Sequence, residues 1–153
     1  MTKLPRPDQP DFREVAIGLL ARREHSAQEL RSKLSARGCE ADQLDDLLSE
    51  LASEGLQSDD RYAESYVHSR IARGFGPLKI QAELRQRGVS DRVIDHYLDP
   101  RSADWRERAR GAWEKKFGEA AGDYRERTRQ ARFLQGRGFA SDTISQILND
   151  EWD

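Results

Sequence analysis

Three hexamers constrain this chain more than any other feature. LSARGC occupies Leu34 to Cys39, LRQRGV Leu84 to Val89, and LQGRGF Leu134 to Phe139. The shared pattern is Leu-x-x-Arg-Gly-apolar, with glycines at 38, 88 and 138, a constant spacing of fifty. A fixed period of this size marks a repeat architecture. Shifting the sequence by fifty also superposes Ile17, Val67 and Phe117; Leu44, Ile94 and Ile144; Leu47, Tyr97 and Ile147; and Leu48, Leu98 and Leu148. The polar positions between them do not match. Shared apolar positions with divergent polar ones are what a repeated fold leaves when its surfaces diverge.

Each unit reads as three helices. In the first, Phe12, Val15, Ala16, Leu19 and Leu20 follow amphipathic helix spacing. SAQE at Ser26 to Glu29 is a capping box that opens a second helix, with Leu30 and Leu34 inward. Leu44, Leu47, Leu48 and Leu51 stripe a third. The second unit repeats the scheme: Tyr62, Tyr66 and Val67 on its first helix, Gly76-Pro77 opening the second, and Ser90 capping the third. In the third unit Trp105, Ala109, Trp113 and Phe117 line the first helix, and Ser141 is expected to cap the last. No alternating segment is long enough for a strand. The expected fold is all-α: an elongated, curved array of three tandem three-helix repeats, helix-turn-helix-like, with a period of about 50 residues. Its boundaries are a disordered lead-in over 1–10, then units over 11–56, 57–100 and 101–153.

The hexamer fits a helix stop. With Gly38, Gly88 and Gly138 just past a helix end in the left-handed region, the preceding leucine and the following apolar residue touch, as in a Schellman ending. The expected contacts are Leu34 with Cys39, Leu84 with Val89, and Leu134 with Phe139. Arg37, Arg87 and Arg137 then lie at the negative end of the helix dipole.

Composition narrows the rest. Apolar residues make up 36% and charged residues 35%, which suits small helical units with much surface. The net charge of −2 does not announce an independent nucleic-acid binder. One cysteine allows neither an internal disulfide nor a cysteine zinc site. No run of eighteen apolar residues exists, so no membrane span is expected. The first ten residues lack an apolar core of signal-peptide length, and a cytoplasmic protein is the expectation.

Catalytic chemistry finds little support. His25, His68 and His96 have no partner at helical metal spacing, and neither metal nor cofactor is expected. Cys39 falls in a packing contact. There is no phosphate-cradling loop of the ATPase kind, and RGFGP at Arg73 to Pro77 reads as a helix-to-helix turn. The paired carboxylates Asp59 and Asp60 sit at a helix start, where they satisfy free N–H groups and complement the dipole. The chain is not expected to be an enzyme.

The basic residues carry more information. Between Arg101 and Arg137 there are eleven Lys or Arg against six Asp or Glu, whereas four acids and no bases follow Arg137. Arg125, Arg129 and Arg132 share a helical face. Arg70, Arg73 and Lys79 cluster about the turn of the middle unit, with Arg85 on the next helix. A solvated face crossed by salt bridges accounts for them equally well, since Glu107, Glu114 and Glu126 are interspersed.

REHSAQELRSKL, SDDRYAESYV, GFGPLKIQAELRQRGV and FLQGRGFASDTISQIL, in this order from about Phe12 to Leu148, resemble the RecX family of bacterial recombination regulators. Asp59, Asp60, Tyr62, Gly74, Gly76, Leu84, Gly88, Phe133, Leu134, Arg137, Gly138 and Phe139 match its pattern and are read as fold-determining. The resemblance implies a non-enzymatic modulator that binds the RecA recombinase and its nucleoprotein filament on DNA; a monomer is the expectation for the chain itself. It implies inhibition of ATP hydrolysis, co-protease action and strand exchange, and hence modulation of homologous recombination and the SOS response; the near-neutral charge leaves room for weak direct contact to DNA. From charge, the candidate interface residues are Arg70, Arg73, Lys79, Arg85, Arg125, Arg129 and Arg132. The competing readings are a stand-alone DNA-binding regulator of helix-turn-helix type and a helical scaffold for an unrelated partner. A steep salt dependence on bare DNA separates the first of these from a filament-docking protein.

Overall fold

The computed structural model describes residues 9–150. Among them are nine helices and no strand: α1 (Phe12–Arg22), α2 (Ala27–Ala36), α3 (Ala41–Ser53), α4 (Asp59–Ala72), α5 (Pro77–Gln86), α6 (Asp91–Tyr97), α7 (Asp104–Lys116), α8 (Tyr124–Arg137) and α9 (Ser141–Asp150). Helices pack chiefly within their own triple: α1 on α2 and α2 on α3; α4, α5 and α6 on one another; α7, α8 and α9 likewise. The lead-in expected over 1–10 lies, for residues 1–8, outside the described residues.

The start signals act as chemistry requires. Ser26 Oγ accepts from the Glu29 N–H at 3.1 Å, while the Ser26 N–H donates to Glu29 Oε1 at 3.1 Å, closing the capping box. Gly76 precedes α5 and Pro77 is its first residue, where a missing N–H costs nothing. Ser90 caps α6 through the Val93 N–H. Ser141 departs from expectation: α9 begins on it, so it is the first helical residue rather than the cap. The fifty-residue register explains this, because the residues preceding α3, α6 and α9 are Glu40, Ser90 and Ala140.

The stop signals are Schellman endings. Gly38, Gly88 and Gly138 take φ of +98°, +80° and +99°. Cys39, Val89 and Phe139 donate N–H groups to the carbonyls of Leu34, Leu84 and Leu134 at 3.1, 3.1 and 3.2 Å. Each glycine donates in turn to the residue after that leucine, at 3.0 Å in all three units. All six of these leucine and apolar side chains are buried.

Packing divides the three units unequally. Phe12, Ala16, Leu30, Leu34, Cys39, Leu44, Leu47, Leu48 and Leu51 form the core of the first alone. A second core runs through both other units, from Tyr62 and Ile80 to Trp113, Leu134 and Ile147. Each large side chain so buried contributes about 1.5–3 kcal/mol. Ile17 is an exception to the repeat pattern: it is 40% exposed, while its counterpart Val67 is buried. Phe117 lies just past the end of α7 rather than inside it.

Polar joints connect the units. Ser26 Oγ, already accepting from its own helix, donates to the Arg87 carbonyl at 2.8 Å, and Gln28 Nε2 donates to the Gln86 carbonyl at 3.0 Å. One unit on, the Gly76 N–H donates to the Arg137 carbonyl at 2.7 Å and the Leu78 N–H to the Gly138 carbonyl at 3.0 Å. In both joints the start of one second helix meets the end of the next. In the second joint free backbone N–H groups meet free carbonyls, whereas in the first the donors are the Ser26 hydroxyl and the Gln28 side-chain amide; in both, a helix start faces a helix end. Asp59 reinforces the first joint: its Oδ1 accepts from the Ala27 N–H and from Gln57 Nε2, each at 2.9 Å. It therefore caps a helix, α2, that belongs to the neighbouring unit. Asp60 accepts from the Tyr97 hydroxyl at 3.3 Å.

Candidate functional site

The turn after α4 places Phe75 where three long cationic side chains reach its ring. The Arg70 guanidinium lies 3.7 Å from the Phe75 ring centroid, Arg137 lies 4.8 Å away, and Lys79 Nζ 5.1 Å. Arg137 also lies over Phe133 at 5.2 Å, and Lys116 Nζ is 5.7 Å from that ring. Phe133 meets Phe117 edge-on at 5.4 Å, and Arg129 covers Phe117 at 5.5 Å. Cations on aromatic faces gain about 0.5–2 kcal/mol each, depending on desolvation. The result is a continuous alternation of cation and ring from the second unit into the third.

The candidate residues divide by what holds them. Arg70 is committed to Glu83: its Nη2 lies 3.0 Å from both carboxylate oxygens, and the two side chains are only 17% and 19% exposed. The Tyr66 hydroxyl donates to the same carboxylate at 2.8 Å. Arg85 pairs with Asp91 at 2.9 Å and is not among the groups around Phe75. Lys79 donates to the Gly136 carbonyl at 3.4 Å. Arg125, Arg129 and Arg132 line one open groove with Tyr124 and Thr128, and Arg129 pairs there with Glu126 at 3.2 Å. Tyr124 is 84% exposed. Arg73 lies in a separate cleft with Gly74, Lys115, Lys116, Phe133 and Arg137.

Sequence reasoning missed Phe75, Lys115 and Lys116, and read Phe133 and Arg137 only as parts of the fold. The excess of bases from Arg101 to Arg137 was the available signal. Which bases would converge with Arg73, a residue of another unit, depended on the second joint.

The remaining titratable groups read as structure. His25 is buried; its Nδ1 bonds the Arg23 carbonyl at 3.0 Å and its Nε2 faces Lys33 Nζ at 2.9 Å. Burial above all holds its pKa below the usual value. A neutral ring that donates from Nδ1 and accepts the lysine proton at Nε2 satisfies both contacts. Burial also pushes the Cys39 thiol up, away from the reactive thiolate. Among the described residues no group of three or more His, Cys, Asp or Glu is placed to hold a metal ion. None of the described helices is long and apolar enough to cross a membrane.

Comparison with known proteins decides the family. Residues 13–51 match the model of the first RecX three-helix domain, 58–98 that of the second, and 104–148 that of the third. The chain belongs to the RecX family. A Regulatory protein RecX from Halorhodospira halophila is 48% identical over 86% of this chain and 83% of its own length. One from Chromohalobacter salexigens is 45% identical over 92% and 93%. The crystal structure of RecX from Lactobacillus salivarius superposes with a TM-score of 0.76 at 23% identity, covering 91% of this chain and 93% of that one. That likeness carries the fold; the sequence matches carry the RecX regulatory role.

Proposed function

We propose that this chain regulates the RecA recombinase by docking on the RecA filament on DNA, lowering ATP hydrolysis, strand exchange and co-protease action. It catalyses no reaction of its own and works in the cytoplasm as a monomer, without cofactor. The observation that carries this reading is that RecX domain models match all three units, in order. Three linked units let several weak contacts add through effective concentration. The contacts assigned to this role are Arg70, Arg73, Lys79, Arg85, Arg125, Arg129 and Arg132, of which Arg73, Arg125 and Arg132 are the bets tested below.

Co-sedimentation tests it. The chain is expected to pellet with RecA filaments assembled on single-stranded DNA and to remain largely in solution with DNA alone. Charge reversal at Arg73, Arg125 and Arg132 together should release it from the filaments. Equal pelleting by the reversed and parent chains would remove these residues from the interface, and failure of the parent to pellet would reject the docking role.

A further inference from the structure

We propose that the cleft between the first and second units, lined by Arg23, Glu29, Tyr62, Ser65, Ser69 and Arg87, binds a carboxylate side chain of an acidic protein segment. Arg23 and Glu29 belong to the first unit and the other four to the second. None of the basic residues assigned to the filament lines this cleft, so the proposal does not rest on that role. Tyr62 lines it although the residue is only 3% exposed and its ring belongs to the second core. Among the described residues its hydroxyl has no hydrogen-bond partner, whereas the neighbouring Tyr66 hydroxyl donates to Glu83 at 2.8 Å. Burial first, and the Glu29 carboxylate second, push the Tyr62 pKa up, so the hydroxyl remains a proton donor. A largely buried donor that opens on a cleft points to an acceptor there.

The charges set the kind of acceptor. Both carboxylates at the cleft are already engaged. Arg23 holds Glu29 through two bonds of 3.1 and 3.0 Å, and Glu29 also accepts from the Ser26 N–H at 3.1 Å. Glu24, also in the lining, accepts from Arg61 Nε at 3.0 Å. Arg87 differs. Its Nη1 donates to the Glu83 carbonyl at 3.1 Å, and its guanidinium lies 4.9 Å from the Tyr66 ring centroid. Its Nε and Nη2 make no further bond among the described residues. A guanidinium held in this way loses little freedom when its remaining donors meet a carboxylate. The Ser65 and Ser69 hydroxyls lie one turn apart on α4 and add two more donors. The open groups are thus donors around one uncommitted cation, which fits a monoanion. A dianionic phosphate or a nucleic-acid strand would bring further negative charge toward Glu24 and Glu29. The cleft volume, about 400 Å³, lies within the roughly 300–1,000 Å³ typical of ligand sites. It admits an acidic residue with part of its backbone.

The test is a heteronuclear NMR titration of the full, isotope-labelled chain with glutamate capped by acetyl and N-methylamide groups. Saturable shifts are expected at the backbone amides of Tyr62, Ser65, Ser69 and Arg87, and none with capped glutamine, the neutral isostere. Tyr62→Phe deletes the hydroxyl alone. It should weaken binding about tenfold, as loss of a hydrogen bond to a charged group does, while thermal stability is kept. Arg87→Gln should abolish the saturable shifts, and Arg37→Gln, exposed in the first unit, should leave them as they are. Equal binding of capped glutamine would overturn the proposal, as would unchanged affinity in Tyr62→Phe or the absence of saturable shifts in the parent. A drop in thermal stability of Tyr62→Phe would overturn it in favour of a hydroxyl that serves the fold. Tighter binding of inorganic phosphate would overturn it in favour of a general anion site, and tighter binding of glutarate in favour of a free dicarboxylate. RecA is absent throughout, so any of these failures leaves the docking role untouched.

Discussion

Gly76 donates its backbone N–H to the Arg137 carbonyl across 2.7 Å, and a Cβ on Gly76 would lie 2.5 Å from the Gly138 carbonyl carbon. The glycine of one unit's turn is thus required by the glycine of the next unit's stop. The hexamer does more than end a helix. Gly88 and Gly138 are also the seats of the two joints, whereas a Cβ on Gly38 would meet nothing within 4 Å.

That difference orders three alanine substitutions. All three glycines have left-handed φ, so each change costs about 1 kcal/mol of backbone strain. Gly38→Ala should cost little more. Gly88→Ala must displace Gln28, whose Cβ would lie 2.8 Å away, and should cost about 2 kcal/mol. Gly138→Ala meets the Lys79 backbone nitrogen at 2.6 Å and should cost about 3 kcal/mol or more. Urea unfolding of the three variants checks the order; equal losses would contradict the joint.

Asp59 carries the border between the separate first core and the shared second one. Asp59→Ala strands the Ala27 N–H and leaves Gln57 Nε2 only its bond to the His25 carbonyl, and should cost about 1–3 kcal/mol. Amide exchange should accelerate in α1–α3 while α7–α9 stay protected. Uniform acceleration along the chain would mean that the first unit does not open by itself.

Breaking the Arg70–Glu83 pair should be costly because both side chains are largely buried and Glu83 also holds Tyr66. Glu83→Gln is expected to lower stability by about 2–3 kcal/mol, somewhat less than a fully buried pair loses. Arg70→Met combined with Glu83→Leu should recover part of that loss. A double-mutant cycle on chemical denaturation measures the coupling, and simple additivity would show that the pair contributes nothing.

His25 makes stability pH-dependent. Its folded pKa lies below the unfolded value of 6.5, so the folded state binds the proton less readily than the unfolded one. Its contribution is therefore complete above pH 6.5 and is lost as pH falls from there through the lowered folded value. Thermal melts should show this decline in the parent and a flatter profile in His25→Gln across the same window. Parallel profiles would assign the acid sensitivity to other groups.

The apolar register of fifty made the helical triples legible, because buried leucines recur wherever a core recurs. Arg-Gly endings were legible for the same local reason, since a left-handed stop demands glycine. The joints were not. Ser26 reads as a cap for Glu29, and nothing local says that its hydroxyl also donates to Arg87, 61 residues away. Arg70 likewise reads as a surface base until Glu83, Tyr66 and Phe75 are brought around it. Polar positions have diverged between the units, so their partners follow from tertiary packing alone.

RecA's DNA-dependent ATP hydrolysis, titrated with this chain, tests the proposed role most directly. The account predicts a falling rate, with inhibition well below one molecule per RecA protomer if the chain acts at filament ends and near equivalence if it occupies the filament's length. A rate unchanged at a several-fold excess of the chain, under conditions where RecA filaments persist, would contradict it.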